Sequence, residues 1–233
     1  MNTQSHPRPS ARARELVRGA YDLHVHTSPD IMPRSASDLE LAQRCRQWGL
    51  AGFVIKSHYV PTAARAALVR SLVPDVDVLG ALVLNSAIGG INTMAVEIAA
   101  REGARIVWLP TVDAVNEMTD QSSLPPGAKR PQWARLPQEL REQGGKITPV
   151  PVVDEQHQVL PEVRSVLRAS AAHNLVLATG HLDRDEIFAV VEAALAEGVR
   201  RPGTDRCTSG CASYCSCRGR RRLGHPLAWE GKR

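Results

Sequence analysis

Short apolar runs alternate with amphipathic helical stretches from Tyr21 to about Val199. The runs are rich in Val, Ile and Leu, which is typical of parallel strands buried on both faces. Alternating strands and helices indicate a parallel sheet covered by helices. We therefore predict about six strand–helix units, with the strands at 21–26, 52–57, 77–84, 105–110, 147–153 and 175–180.

Each predicted helix begins at a residue that can cap the first turn or that suits it. The strongest signals are two capping boxes, Ser37 with Glu40 and Asp183 with Glu186. The predicted helices run from Ser37 to near Gly49, from Thr62 over 63–71, from Asn92 over 93–102, from Pro161 over 161–172 and from Asp183 over 184–197.

One segment departs from this alternation. Residues 113–135 are rich in Pro, Gly, Ser and Asp, which predicts a long loop. If the loop follows a barrel strand it is either a lid over the site or a solvated insertion without a role. The pattern as a whole predicts an α/β fold, a TIM-like (β/α) barrel that is incomplete, as one domain over 21–201.

The two ends of the chain lack the pattern. Residues 1–20 are predicted as a flexible N-terminus, because no apolar stretch follows the basic start as a signal peptide requires. The formal charge of +5 comes entirely from 202–233, so 1–201 give no argument for nucleic-acid binding. No run approaches the roughly 20 apolar residues of a membrane helix. We expect a cytoplasmic protein that does not bind membranes.

The tail at 202–233 is irregular and rich in Cys and Arg. A further strand is due after Arg201, yet only two of the last 32 residues are Leu, Ile, Val, Met or Phe. Three interpretations stay open: a zinc knuckle, a basic nucleic-acid arm, or a reading-frame shift near residue 201 that leaves a disordered tail. The tail cysteines are Cys207, Cys211, Cys215 and Cys217, whereas Cys45 is predicted to be a buried apolar group.

Candidate metal ligands stand on the first predicted strand. Alternate residues of a strand face the same side, so Asp22, His24 and His26 should project together. Two imidazoles at a strand end suit a divalent ion such as zinc, manganese or iron. Asp22 would bind the ion or orient a histidine.

Further candidates follow the other strands. Lys56 and His58 are two positions apart at the end of the second strand, where Lys56 could polarise a substrate oxygen and His58 could bind metal or donate a proton. His181 follows Gly180, which allows a tight turn after the last strand. Asp113 is a weaker candidate after the fourth strand, and Asp154, Glu155 and His157 are weaker ones after the fifth.

Three segments, Tyr21-Asp-Leu-His-Val-His-Thr-Ser-Pro-Asp30, Val54-Ile-Lys-Ser-His58 and Ala178-Thr-Gly-His181, resemble the metal-dependent amidohydrolase superfamily, and more narrowly an uncharacterised group within it. The resemblance covers 21 to about 199. It implies a TIM-like barrel with one or two metal ions, bound by His24, His26 and His181. The bridging lysine of that superfamily usually follows its fourth strand, whereas Lys56 follows the second.

The expected function is hydrolysis of a C–N or C–O bond in a small molecule by metal-activated water. The resemblance also implies a catalytic Asp after an eighth strand, which this sequence does not contain in recognisable form. Histidinol-phosphatase-like barrels also begin with His-x-His, so phosphoester hydrolysis is an alternative. A catalytically silent ligand-binding barrel is another. An open barrel would expose strand edges, which favours a homo-oligomer.

Overall fold

The computed structural model describes residues 9–122, 139–140, 142–145 and 147–203. The predictions for the tail beyond residue 203 and for most of the 113–135 segment lie outside these residues. Within the described part of the chain, no helix is long and apolar enough to cross a membrane.

The strands form one parallel sheet in sequential order. Each new strand is therefore added beside the preceding one, and helices connect the strands. Because all the strands are parallel, their carboxyl ends lie along one edge of the sheet. The strands are β1 (Tyr21–Val25), β2 (Gly52–Ile55), β3 (Asp77–Val83), β4 (Ala104–Trp108), β5 (Val176–Ala178) and β6 (Pro202–Gly203).

The helices begin where the caps predict them. Ser37 and Asp183 both form complete capping boxes. Thr62 is an exception, because its hydroxyl donates to the Ile55 carbonyl and accepts the Ala81 N–H instead of capping a helix. The helices are α1 (Ala11–Leu16), α2 (Asp38–Trp48), α3 (Ala63–Leu72), α4 (Thr93–Glu102), α5 (Val115–Ser122), α6 (Pro161–Ala172) and α7 (Arg184–Ala196).

The two faces of the sheet pack differently. On the outer face, alternate strand residues such as Leu82, Val107 and Leu177 pack against the helices in a large apolar cluster. On the other face, the intervening residues, among them Val54 and Trp108, form a cluster of strand residues. No helix of the described part of the chain contributes to this cluster, which is buried where the sheet curls into a half-barrel. This curled face is called the inner face below.

The predicted strand at 147–153 is wrong. Residues 150 and 153 form only isolated bridges, and β4 pairs directly with β5. Pro149 and Pro151 explain the difference, because proline has no N–H to donate to a sheet. The sixth strand of the sheet is instead Pro202–Gly203, at the start of the segment predicted to be irregular.

Two segments predicted to lack regular structure contain helices. The predicted loop at 113–135 includes α5, and the N-terminal segment at 1–20 includes α1. Ser10 caps α1 through its side chain, so a local hydrogen bond is enough to start this short helix.

Candidate functional site

The first strand contributes two histidines, and a register shift separates Asp22 from them. Asp22 pairs with Phe53 and Val25 pairs with Ile55, with an irregularity between the two pairs. Asp22 therefore faces the same side as Phe53, which packs in the outer cluster with Cys45. Its carboxylate accepts the His24 N–H at 3.0 Å and contributes to the raised pKa of Cys45, whose main cause is burial.

The second strand ends with Lys56 and His58, which follow the inner-face residue Val54 at intervals of two. Lys56 is only 1% exposed. Its Nζ atom lies 3.2 Å from His24 Nε2 and 4.8 Å from the centre of the Trp108 ring. An ammonium group donates only, so His24 Nε2 accepts in this contact and the ring is the Nδ1–H tautomer.

Gly180 places His181 at the end of β5. Its φ of +65° is in the left-handed region, and a Cβ there would lie 2.3 Å from the Pro110 carbonyl oxygen. Glycine therefore permits both the turn and the close approach. His181 Nδ1 contacts Glu117 Oε2 of α5 at 2.8 Å, and both side chains are buried. The Glu117 carboxylate thus lies against the Nδ1 edge of the His181 ring.

The four imidazoles form a chain of ring contacts. The ring centres of His24 and His26 are 5.4 Å apart, and His26 stacks on His58 at 4.6 Å. His58 meets the edge of His181 at 6.3 Å. His24 is exposed and His26 half-buried, whereas His58 and His181 are buried. We call these four residues the imidazole chain, and it leads from solvent at edge strand β1 into the protein.

Hydrogen bonds between three strand ends position His58. Its Nδ1 lies 2.9 Å from the Thr111 hydroxyl, which also accepts Asn85 Nδ2–H at 2.8 Å. Asn85 Nδ2 also donates to the His58 carbonyl, and Asn85 Oδ1 accepts the Thr111 N–H. Asn85 is fully buried, so it joins the ends of β2, β3 and β4 without competition from water.

Burial and nearby cations keep two of the imidazoles neutral. Burial lowers the pKa of His26 to about 4, and the charges of Arg34 and Lys56 add to the effect. Burial lowers the pKa of His58 to about 2, with smaller contributions from His26 and Lys56. Neutral imidazole is the form that binds metal ions.

Several buried polar atoms near the imidazole chain have no hydrogen-bond partner among the described residues. They include His26 Nδ1, Trp108 Nε1 and the Tyr59 hydroxyl. Burial raises the pKa of Tyr59 to about 12, with further contributions from Asp113 and Asp30, so its hydroxyl is protonated at neutral pH. Buried polar groups in proteins are nearly always paired, so these atoms indicate a place where a ligand or water supplies the partner.

The described residues contain no three His, Cys, Asp or Glu side chains placed to hold one metal ion. The four histidines of the imidazole chain nevertheless have donor atoms that suit such an ion, because zinc binds neutral imidazole nitrogens. The Nδ1 contacts of His58 and His181 also resemble the outer hydrogen bonds that orient metal-binding histidines through Nε2. The imidazole chain thus offers suitable atoms, but the rings are not arranged as a finished ligand set.

The remaining sequence candidates are Asp113 and three residues that follow the fifth predicted strand. Asp113 is buried beside Tyr59, and its Oδ2 accepts the Ser86 N–H at 2.8 Å. Asp154, Glu155 and His157 are exposed, in a turn where Asp154 accepts backbone N–H groups.

Four residues at the site were not predicted from the sequence, namely Glu117, Trp108, Thr111 and Tyr59. Trp108 had a usable signal, because it ends β4 two positions after the inner-face residue Ile106. Glu117 had none, because it lies in a segment predicted to be a loop and contacts His181 from 64 positions away in the chain.

The chain belongs to a family of unknown function, DUF6282, which matches residues 19–218. The match includes every strand of the sheet and continues into the tail beyond residue 201. No curated protein matches the chain.

Proposed function

We propose that this protein is a metal-dependent hydrolase of a C–N or C–O bond in a small molecule, of the amidohydrolase kind. The observation that carries the proposal is the imidazole chain, in which histidines that end β1, β2 and β5 meet with centre-to-centre distances of 4.6 to 6.3 Å. Parallel sheets of α/β proteins bind ligands at the carboxyl ends of their strands. We further propose that the curled sheet is part of a TIM-like barrel.

The ion would be held by nitrogens of His26, His58 and His181, and by His24 Nε2 in place of its contact with Lys56 Nζ. His26 supports this assignment because its buried Nδ1 has no partner among the described residues. His58 acts as a ligand rather than as a proton donor, since its low pKa keeps it neutral. A bound divalent ion, with zinc best matched to nitrogen donors and manganese or iron as alternatives, supplies activated water and a polarised scissile group.

The other side chains bind the substrate and move protons. Lys56 is placed to donate to a substrate oxygen, because its Nζ lies beside His24 at the inner face. Tyr59 keeps its proton at neutral pH and can donate it to a leaving group or an oxyanion. Asp113 lies close enough to raise the pKa of Tyr59, and its carboxylate is the group that would accept a proton from the attacking water.

Metal analysis of variants tests the assignment. Purified wild-type protein, reloaded with zinc, should retain at least one ion per chain and hydrolyse a member of a panel of amides, lactones and phosphomonoesters. His26→Ala and His181→Ala should lose both properties. The matched control is His157→Ala, which removes an exposed histidine outside the imidazole chain. Zinc content and activity that are equal in all four proteins would disprove the proposal.

Phosphoester hydrolysis is the second candidate, favoured by two cations near the chain, since Arg34 and Lys56 both lower the pKa of His26. The substrate panel distinguishes it, because only the phosphomonoesters would then be turned over. Ligand binding without catalysis is favoured by the unfinished ligand set. That alternative predicts no turnover of any substrate at any zinc or manganese concentration.

A further inference from the structure

Lys56 and Trp108 lie together next to the imidazole chain. Lys56 Nζ is 4.8 Å from the centre of the indole ring, and the two residues are 1% and 2% exposed. They belong to adjacent parts of the inner face, at the ends of β2 and β4. A cation is thus brought over an indole ring by strands that are far apart in the sequence.

The indole nitrogen restricts what can bind there. Trp108 Nε1 is buried and has no hydrogen-bond partner among the described residues. An indole N–H can only donate, so its partner must be an acceptor atom such as an oxygen. Leaving such a donor unpaired is unfavourable, which means that a ligand with an acceptor oxygen gains affinity by pairing with it.

The charges nearby favour a negatively charged ligand. Lys56 contributes an ammonium group, and Arg34 is also close enough to lower the pKa of His26. Arg34 is paired with Asp30 at 2.7 Å, and Lys56 is the cation that lies over the indole ring. In a site shielded from water, a hydrogen bond from a cation to an oxyanion is about twice as strong as a neutral one.

We propose that Lys56 Nζ and Trp108 Nε1 form an oxyanion-binding subsite, so that the substrate carries a carboxylate or phosphate group next to the bond that is cleaved. The subsite would hold one end of the substrate while the imidazole chain acts on the other. That the bound oxyanion belongs to a substrate rests on the proposed function. Oxyanion binding itself can be measured without any turnover.

The indole N–H of Trp108 reports binding directly by nuclear magnetic resonance. In ¹⁵N-labelled full-length protein treated with a chelator, the Trp108→Phe variant identifies the indole signal. Titration with inorganic phosphate and, separately, with acetate should shift this proton downfield in a saturable way. Sodium chloride at the same ionic strength should not. A response to phosphate alone assigns a phosphoryl group, and a response to acetate assigns a carboxylate.

Variants distinguish anion binding at the subsite from non-specific attraction of anions to the charged protein. Lys56→Met should weaken the binding by about tenfold or more, because it removes a charged donor at nearly constant volume. Trp48→Phe and Arg105→Met are the controls, since both change exposed residues outside the inner face, and they should bind as the wild type does. Lys56→Gln serves as a second test if the methionine variant does not fold.

The outcomes distinguish this inference from the proposed function. No shift in the wild-type protein, an equal shift with chloride, or unchanged binding in folded Lys56 variants would overturn the subsite. Binding that requires added zinc would overturn it as well, because the anion would then be bound by the metal, and the hydrolase proposal would survive. Metal-independent binding in a protein that holds no zinc and turns over nothing would support the subsite and reject the hydrolase.

Discussion

The outer and inner faces of the sheet differ in chemistry although the same strands build both. The outer face and its helices form apolar clusters that contain strand residues such as Leu82 and Leu177 together with buried helix residues such as Leu167. The inner face begins with similar apolar residues, but it continues into Lys56, His58 and His181 at the carboxyl ends of the strands.

The difference shows how one fold separates stability from chemistry. Apolar burial on the outer face is non-directional and tolerates no polar atoms without partners. On the inner face each polar group requires a specific partner, which Thr111 and Glu117 provide for His58 and His181. We therefore expect outer-face substitutions to change stability and strand-end substitutions to change ligand binding.

The largest expected effect on stability is at Leu177 on the outer face. Leu177→Ala removes a fully buried side chain and should lower the free energy of unfolding by about 2–5 kcal/mol. Metal content and the Trp108 response to oxyanions should not change below the unfolding transition. Urea unfolding followed by circular dichroism measures the effect. Leu195→Ala is the control, because Leu195 is 58% exposed, and a loss of stability as large as at Leu177 would remove the distinction between the positions.

A substitution of Glu117, which contacts His181 at the end of β5, tests the expectation that changes at the strand ends alter ligand binding. Glu117→Gln keeps the shape of the side chain but removes the carboxylate charge that lies 2.8 Å from His181 Nδ1. If His181 binds zinc, its affinity should fall by about 10- to 100-fold, with little change in the free energy of unfolding. Competition with a fluorescent chelator measures the affinity. Glu102→Gln, at an exposed helix end, is the control, and equal zinc affinity in both variants would mean that Glu117 does not orient a ligand.

The smallest effect is expected from a polar contact on the outer layer. His173, which follows the end of α6, lies with its Nε2 atom 2.8 Å from Glu97 Oε2 of α4. This hydrogen bond is the main cause of the lowered pKa of Glu97. The contact stabilises the fold above the ordinary pKa of a glutamate, about 4.3, and its contribution is lost as the pH falls through the lowered pKa of the folded state.

His173→Ala should therefore raise the pKa of Glu97 toward its ordinary value, and the small difference in stability between variant and wild type should disappear in acid. A carboxyl NMR titration of Glu97 measures the pKa. His157→Ala should leave it unchanged. An unchanged pKa in His173→Ala would assign the shift to Arg101, the other contact of Glu97.

Helix starts were predictable because their causes are local. The capping boxes at Ser37 and Asp183 are complete within four residues, and both form as expected. The strand at 147–153 was mispredicted because its apolar content outweighed the missing N–H groups of Pro149 and Pro151. The short β6 was missed because Pro202 and Gly203 carry no strand signal, and only pairing with Leu177 and Ala178 makes them a strand.

The residues at the site were predictable only in part. His24, His26, His58 and His181 were expected to meet because the carboxyl ends of parallel strands lie at one edge, and the structure brings their rings together. Asp22 was expected on the same side as His24, but the register shift in β1 places it on the other. A shift of one residue reverses the face of a strand side chain, and the sequence pattern of β1 carries no signal for it.

What the sequence alone determined is five of the six strands, the helices that begin at caps, and the presence of histidines where strands end, because periodicity and caps depend on near neighbours in the chain. The tertiary structure decided which side chains meet. Glu117 reaches His181, Lys56 lies over Trp108, and Asn85 joins three strands. Such contacts depend on strand register and sheet curvature, which arise from the packing of the whole domain.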